Sequence, residues 1–335
     1  MKSSRVAAWL LGLLAIPTGT YAANKSHEDV KYVIMDNDWS STGFIPFLMA
    51  LDAGWEILGL TSCTADTWQH QVALHALATL SLGNLTSCIP VVPGSTFPLI
   101  NTPNRFQAWE SVHGVLPWQG AFAPYNATAE AEGSDPTSGD NPFRVVESAF
   151  LEGFPSNASI QGLKKSQSAS AFMIEMVHRY PGKVSIYAGG SMTNIALAVR
   201  SDDQFASLAK ELVIMGGYID VNLLEVTGTM VHDHYGTIFP FWDETAAAIM
   251  VDSSIIKNTT TWNKHAALLT LVLVYVDVDI SYGSPSYGNI HAYQSALMPP
   301  GLRNVTYVNK IDGDKLKTMI KRAVQHPRTC STMGR

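Results

Sequence analysis

The chain has 335 residues, with 22 Lys and Arg against 28 Asp and Glu and a formal net charge of −6 at pH 7. This acidic balance, without any Lys/Arg run, argues against a surface that binds nucleic acid. Charged residues make up only 15% of the chain and hydrophobic residues 46%, which excludes an intrinsically disordered protein. The length suffices for one large α/β domain, and we predict a single domain over residues 23–335.

Residues 1–22 are typical of a signal peptide. Lys2 and Arg5 precede a short apolar stretch from Ala7 to Ile16, and small residues near Ala22 suit a signal peptidase. The apolar stretch is too short to span a bilayer, so we expect a secreted protein with no membrane anchor after cleavage. Asn-x-Ser/Thr acceptor patterns for N-glycosylation support secretion. They begin at Asn24, Asn84, Asn126, Asn157, Asn258 and Asn304.

Cysteine is sparse, with only Cys63, Cys88 and Cys330. An odd count in a secreted protein leaves at least one thiol free or paired outside the chain. Cys63 lies in an apolar stretch, and we expect it to be a small buried hydrophobic residue. The sequence leaves the disulfide pairing open.

Short apolar runs alternate with helical periods along most of the chain. The strand-like runs are 31–35, 56–61, 89–92, 184–188 and 212–215. The helical periods are 43–53, 68–82, 168–180, 192–200 and 243–251. Strands that alternate with helices predict an α/β fold, with an open, mostly parallel, Rossmann-like sheet covered by helices on both faces.

Two stretches break this alternation. Residues 93–165 are rich in Pro, Gly, Ser, Asn and Trp, and we expect a long loop excursion from the sheet. Within it, Trp109, His113 and Trp118 would either line a ligand pocket or simply pack on the core. Residues 262–274, WNKHAALLTLVLV, form an apolar insert that is either translated intron or a genuine buried strand.

Two carboxylates close the first predicted strand. Asp36 and Asp38 follow the apolar run at 31–35, at the carboxyl end of a parallel strand, where open α/β sheets bind ligands. Clustered carboxylate oxygens suit a hard cation such as Ca²⁺. The alternative is that Asp36 is an ordinary strand-end residue and Asp38 caps the following helix.

This first segment resembles the opening of the inosine–uridine preferring nucleoside hydrolases. Their pattern is apolar–Asp–x–Asp–x–x–x–Asp–Asp–Ala, and Asp36 and Asp38 match its first two carboxylates. Thr42 and Gly43 stand where the later Asp pair is expected. The next strand, LTSCTAD, ends in Asp66 at the place of a ribose-contacting Asn.

Three later segments extend the resemblance in the same order. VSIYAGGSMTNIALAV at 184–199 is similar to the Gly–Pro–Leu–Thr–Asn segment, and LVIMGG at 212–217 to the next strand and its double Gly. FWDETAAAIMVD at 241–252 resembles the His–Asp–Pro–Leu–Ala segment, with Trp242 in place of His and Asp243 retained. The divergence and the leader most resemble the secreted fungal branch.

The resemblance implies a Ca²⁺-dependent hydrolase that acts on the N-ribosidic bond of a small-molecule nucleoside. It implies metal binding by Asp38, Asp243 and the Thr193 backbone carbonyl, with Asp36 supporting the metal loop. Asp38 would also be the catalytic base that takes a proton from water.

The resemblance also implies the residues that contact the nucleoside, and a possible homo-oligomer. Asp66 would face the ribose, with Asn194 also in the substrate-binding set. Trp242 would stack on the leaving nucleobase, although its indole cannot supply a proton as a His would.

Two departures from the family pattern affect function. Gly43 removes a bidentate carboxylate from the metal, so the Ca²⁺ site should be weak. Gly217 and Asp243 lie only 26 positions apart, with no ribose-contacting Glu-x-Asn segment between them. We predict that an internal block is missing near Thr229; the alternative is a natural shortening with another ribose contact.

Two functions therefore remain open. One is a secreted hydrolase that cleaves purine or pyrimidine nucleosides into ribose and free base. The other is a catalytically impaired binding protein on the same fold. A third class, a membrane-anchored glycoprotein, rests only on the leader and the apolar insert.

Overall fold

The short apolar runs form a central parallel sheet in the computed structural model of the protein. The structure describes residues 30–39, 43–113, 121–122, 127–128, 141–143, 167–216, 241–259, 273–279, 281, 290–293, 299–306, 308–325 and 328–330. The sheet strands are β1 (Tyr32–Asn37), β2 (Glu56–Ser62), β3 (Val91–Pro93), β4 (Val184–Ala188) and β5 (Glu211–Ile214). Their order is β3-β2-β1-β4-β5, and every neighbouring pair is parallel.

Helices connect these strands and cover both faces of the sheet, which confirms the predicted fold class. The helices are α1 (Phe44–Asp52), α2 (Gln69–Leu82), α3 (Pro103–His113), α4 (Ala169–Arg179), α5 (Thr193–Ser201), α6 (Phe205–Leu208), α7 (Trp242–Val251) and α8 (Gly313–Gln325). None of the helices within the described ranges is long and apolar enough to cross a membrane.

The alternation of side chains along β1 separates the two hydrophobic cores. Val33 and Met35 pack on one face with residues of α1, α2, α7 and α8, whereas Ile34 packs on the other with residues of α4 and α5. All three side chains are fully buried. Burying each one contributes about 1.5–3 kcal/mol, so β1 is fixed in the middle of the sheet.

The remaining strands are antiparallel. They are β6 (Ile256–Thr259), which pairs with β10 (Val308–Ile311), and β7 (Leu273–Val278), which pairs with β8 (Ile290–Tyr293) and β9 (Arg303–Thr306). The predicted apolar insert at 262–274 lies mostly outside the described residues, and its last two residues begin β7. The predicted junction at Thr229 also lies outside them.

Three local features add to the sequence-based picture. The long excursion at 93–165 contains a regular element, helix α3, which the weak periodicity did not indicate. A disulfide joins Cys88 to Cys330 across 242 positions. Cys63 is buried and free, as the sequence indicated.

Candidate active site

The strand order creates a crevice at the carboxyl end of β1. The chain winds outward from β1 to β3 on one side and returns to β4 on the other, so β1 and β4 flank a topological switch point. The loop after β4 stays close to β1, because the Gly189 amide donates to the Asp36 carbonyl at 2.8 Å. Ligands of open α/β sheets bind in this position.

Asp36 lies at the bottom of this crevice with its side chain buried. One oxygen, Oδ1, accepts hydrogen bonds from Thr61 Oγ1 at 2.6 Å and from Asn194 Nδ2 at 2.8 Å. The other oxygen, Oδ2, is buried with no hydrogen-bond partner. Burial raises the pKa of Asp36 to about 6, and the two hydrogen bonds only partly offset it.

Asp38 lies among other carboxylates. Its Oδ2 accepts from the Asp66 backbone amide at 3.4 Å, and the side chain is almost completely buried. Burial, followed by repulsion from Asp66 and Asp243, raises the pKa of Asp38 well above its usual value. The structure therefore brings together three carboxylates that are far apart in the sequence.

Asp243 enters the site from the first turn of α7. Its Oδ1 accepts from the hydroxyl of Tyr187, a buried residue of β4, at 3.0 Å. Burial raises the pKa of Asp243 to about 6, and burial together with repulsion from Asp243 raises that of Asp66 to about 6. The next residue, Glu244, is also buried, and burial raises its pKa to about 7.

The double Gly after β4 allows these groups to come close together. A Cβ on Gly189 would collide with Asn37 Oδ1 and would lie 2.7 Å from Asp243 Oδ1. A Cβ on Gly190 would collide with Cys63 Sγ and would lie 3.0 Å from the Asp38 amide. Any larger residue would force the loop away from β1 and open the crevice.

Burial raises the pKa values of all four aspartates of this site, and repulsion by neighbouring carboxylates adds to the shift at Asp38 and Asp66. Among the described residues, no lysine or arginine contributes to these shifts. A bound cation stabilises carboxylates that lie close together in a buried site. Carboxylate oxygens are also the donor type that a hard divalent cation prefers.

The positions of these donors limit that fit. In the part of the chain that the structure describes, no three His, Cys, Asp or Glu side chains are grouped so as to hold a metal ion. The turn before α1 contributes Gly43 rather than a carboxylate. The described side chains thus have the donor type that Ca²⁺ prefers but are fewer than its usual number of ligands.

The other predicted residues occupy different positions around this cluster. Asn194 is buried, and its amide also donates to the Ser62 carbonyl at 3.0 Å and accepts from the Ser95 amide at 2.9 Å. Asn194 therefore links the carboxyl ends of β1 and β2 to the loop after β3. Thr193 is the first residue of α5, and Trp242, 46% exposed, begins α7 beside Asp243.

Sequence reasoning did not single out the aromatic cluster next to the acids. Trp68 is buried two positions after Asp66, and its ring contacts Phe97 at 5.8 Å and Phe122 at 5.3 Å between centroids. Phe97 is 58% exposed, so part of this apolar surface faces solvent. Of the predicted aromatic wall, Trp118 and the side chains of Trp109 and His113 lie outside the described residues.

His75 is a second residue whose environment the sequence did not reveal. His75 lies on α2, where its Nδ1 is 3.1 Å from the Trp39 carbonyl, and burial lowers its pKa to about 4. Trp39 is itself fully buried and donates from Nε1 to the Thr61 carbonyl at 2.8 Å. These contacts hold Trp39, the residue directly after Asp38, against α2 and β2.

A doubly wound parallel sheet with a buried carboxylate cluster at its switch point defines an α/β protein with a small-ligand site. A match to a family sequence profile identifies the family within this class. The chain belongs to the inosine–uridine preferring nucleoside hydrolase family, whose profile matches residues 33–228. This family consists of N-ribosidic hydrolases.

Individual relatives are distant in sequence. An uncharacterised protein of Schizosaccharomyces pombe, C800.11, is 28% identical over 362 residues, covering 86% of this chain and 82% of the relative. A probable uridine nucleosidase 1 of Oryza sativa subsp. japonica is 30% identical over 186 residues, covering 55% of this chain and 46% of the relative. This chain thus spans less than half of the rice protein that it matches.

A solved structure shares the fold. An inosine–guanosine nucleoside hydrolase superposes with a TM-score of 0.62 at 14% identity, covering 89% of this chain and 99% of the other. At this identity the likeness establishes the fold alone.

The alignments also bear on the continuity of the chain. The family profile stops at Gly228, one residue before the predicted junction. The alignment with the S. pombe protein runs over 362 positions, more than the 335 residues of this chain, so it contains gaps opposite residues that this chain lacks. The missing internal block near Thr229 stays a prediction.

Proposed function

We propose that the protein cleaves the N-ribosidic bond of purine or pyrimidine nucleosides and releases ribose and the free base. The observation that carries this proposal is the cluster of Asp38, Asp66 and Asp243. It lies at the topological switch point of the parallel sheet, in a chain of the nucleoside hydrolase family. Hydrolysis at the anomeric carbon passes through an oxocarbenium-like transition state. Negative charge beside the ribose stabilises that state.

Each residue of the site has a different role in the proposed reaction. Asp38 accepts the proton of the attacking water, because its carboxylate lies at the carboxyl end of β1 among the other acids of the site. Asp66 faces the ribose hydroxyls. The exposed Trp242 and the aromatic surface around Trp68 suit a planar nucleobase, since stacking tolerates both purines and pyrimidines.

A cation completes the proposal. Asp38, Asp243 and the Thr193 carbonyl would hold Ca²⁺, with Asp36 supporting the loop beneath. A bound Ca²⁺ supplies positive charge that lowers the pKa of water and orients it. Because the turn before α1 lacks a carboxylate, we expect weak affinity.

Asp38 provides the direct test. We expect Asp38→Asn to abolish hydrolysis of inosine and uridine, because an amide accepts no proton from water and binds metal poorly. The control is Asp314→Asn, which changes an exposed acid in the first turn of α8 and should leave the rate unchanged. An unchanged rate in the Asp38 variant would remove Asp38 from the mechanism and favour a helix-capping role.

A catalytically impaired nucleoside-binding protein is the second candidate. It is favoured by the absence, among the described residues, of three side chains grouped to hold a metal. Calorimetric titration with Ca²⁺ and with nucleosides separates the candidates. Binding of nucleoside with no release of base supports the second candidate, and turnover supports the first.

We also propose that the protein is secreted and loses residues 1–22. The leader and the glycosylation patterns support this, as does the Cys88–Cys330 disulfide, since disulfides persist in oxidising compartments. Asn84, which begins one acceptor pattern, is exposed at the end of α2. N-terminal sequencing of protein from the culture medium should begin near Ala23, and a sequence beginning at Met1 would contradict secretion by this signal.

A further inference from the structure

The turn after helix α2 carries an Asn-x-Thr acceptor pattern, formed by Asn84, Leu85 and Thr86. We propose that Asn84 is a site of N-linked glycosylation. The inference goes beyond nucleoside hydrolysis and rests on the proposed secretion, because the oligosaccharide is transferred in the secretory pathway. Among the described residues, Asn84 and Thr86 are the acceptor pair whose side chains are both exposed.

The end of α2 has room for a bulky glycan. All four residues at 81–84 are exposed, and Leu82 is 72% exposed. Leu85, between the acceptor and the hydroxyl residue, is instead buried in the core. The buried Leu85 therefore anchors the turn, while the two residues that the acceptor pattern requires remain at the surface.

The backbone of this turn explains the Asn but not the Thr. Asn84 has a φ of 53°, in the left-handed region, and the next amide, that of Leu85, donates to the Leu80 carbonyl at 2.8 Å. Asn tolerates this conformation better than most residues, so an Asn would suit this turn without any glycan. The conformation places no such demand on position 86. The exposed Thr86 completes the acceptor pattern.

Two other acceptor patterns begin within described strands. Asn258 of β6 pairs with Lys310 of β10, and Asn304 of β9 pairs with Tyr275 of β7. Asn84 differs from both because it lies in a turn between a helix and a strand. Surface loops are the usual setting of a glycosylated acceptor.

The disulfide next to this turn indicates the same compartment. Cys88 follows Asn84 by four positions and is bonded to Cys330, whose Sγ lies 3.4 Å from the Asn84 carbonyl oxygen. Disulfides form in the oxidising lumen of the secretory pathway, where N-linked oligosaccharides are also transferred. The segment 84–88 thus carries two features of one compartment.

The direction of α2 keeps a glycan on Asn84 away from the candidate active site. Strands β2 and β3 are parallel, so the helix that connects them begins at the carboxyl edge of the sheet and ends at the amino edge. Asp66 precedes α2 and Asn84 follows it. The helix has 14 residues, which corresponds to a length of about 21 Å. A glycan on Asn84 therefore leaves the crevice open.

The proposed reaction transfers an oligosaccharide to the side-chain amide of Asn84. The co-substrate is an oligosaccharide joined to a lipid diphosphate through the anomeric carbon of its first sugar. The amide nitrogen, Nδ2, forms a bond to this anomeric carbon and loses a proton. The bond between the anomeric carbon and the diphosphate oxygen breaks, and the lipid diphosphate leaves with its electron pair.

The experiment is secretion of the full chain from cultured eukaryotic cells, followed by mass spectrometry of the peptide that contains Asn84. Peptide-N-glycosidase in heavy-oxygen water converts a glycosylated Asn to a heavy-labelled Asp, and a sample without the enzyme controls for spontaneous deamidation. We expect the enzyme-dependent label at position 84. An unlabelled Asn84 in the secreted chain overturns this inference and leaves secretion intact, whereas an unglycosylated chain that begins at Met1 overturns both. Neither result depends on nucleoside hydrolysis.

Three variants test the acceptor pattern itself. Asn84→Gln and Thr86→Ala should each lose the glycan, while Thr86→Ser, the matched control, should keep it because Ser also satisfies the pattern. Thr86→Ala covers poor folding of Asn84→Gln, since Asn84 and its left-handed conformation are retained. A label that persists in Thr86→Ala, or that disappears in Thr86→Ser, overturns the proposal.

Discussion

Single residues near the sheet edge show how burial determines charge. Burial disfavours the charged form of both His75 and Asp36: it lowers the pKa of His75 to about 4 and raises that of Asp36 to about 6. The same cause therefore acts on stability in opposite directions. His75 favours the folded state at higher pH, whereas Asp36 favours it at lower pH.

The effect of His75 can be isolated by substitution. Between about pH 4 and pH 6.5, His75 binds fewer protons in the folded protein than in the unfolded chain. The contribution of His75 to the free energy of unfolding is therefore present above pH 6.5 and is lost as the pH falls towards 4. The full shift corresponds to about 3 kcal/mol. We expect His75→Gln, which can still donate to the Trp39 carbonyl, to remove this contribution.

The measurement is urea unfolding of both chains at pH 7 and pH 4.5. Because the buried acids are common to the two chains, their opposite effect cancels in the difference between them. The unmodified chain should lose more stability than His75→Gln on acidification. Equal losses would show that His75 is protonated in the folded state.

At the scale of elements, the C-terminal segment contacts elements that lie far away in the sequence. Helix α8 buries Leu316 and Ala323 against the core that contains α1 and α7. Arg322 pairs with Asp52 at the end of α1, at 2.5 Å. Beyond α8, Cys330 is bonded to Cys88 after α2.

This disulfide should stabilise the whole fold. It closes a loop of most of the chain and so restricts the unfolded state, and removal of such a bond typically costs about 2–5 kcal/mol. We expect Cys88→Ser with Cys330→Ser to lower the free energy of unfolding by this amount. Dithiothreitol should lower the melting temperature of the unmodified chain but not that of the double variant. An equal effect of dithiothreitol on both would show that the bond contributes nothing.

At the scale of the whole molecule, we predict that the missing block near Thr229 limits activity. Ribose binding requires hydrogen bonds to the 2′ and 3′ hydroxyls that strengthen in the transition state. No ribose-contacting Glu-x-Asn segment follows Gly228, and Gly43 contributes no carboxylate. Each lost charged contact costs on the order of 1.5–3 kcal/mol, so the chain should be a poor nucleosidase.

The test compares the activity and solubility of this chain with those of a second chain. In the second chain, residues from a close relative are inserted after Gly228 to restore the block. We expect the restored chain to hydrolyse inosine or uridine faster by several powers of ten and to be more soluble, because the added elements would cover exposed sheet surface. Transcript sequencing across the junctions near Thr229 and Trp262 provides an independent check. Equal solubility and equal activity of the two chains would contradict both the missing block and the assigned site.

The strands of the central sheet and most of the helices that cover it could be predicted from the sequence. The period of hydrophobic residues is a local property, so short windows indicate the five strands β1 to β5 and the helices α1, α2, α4, α5 and α7. The positions of Asp36 and Asp38 followed as well, because the end of an apolar run marks the end of a strand. The segments of the family pattern, being contiguous, were equally visible.

Which of these residues come into contact depends on the tertiary structure. Asp243 lies near Asp38 because β4 lies beside β1 in the sheet, and for the same reason Asn194 bonds residues of β1 and β2. The Cys88–Cys330 bond and the burial of His75 also depend on partners distant in the chain. Local periodicity carries no information about such pairs, because they are selected by the strand order and by how the helices pack on the sheet.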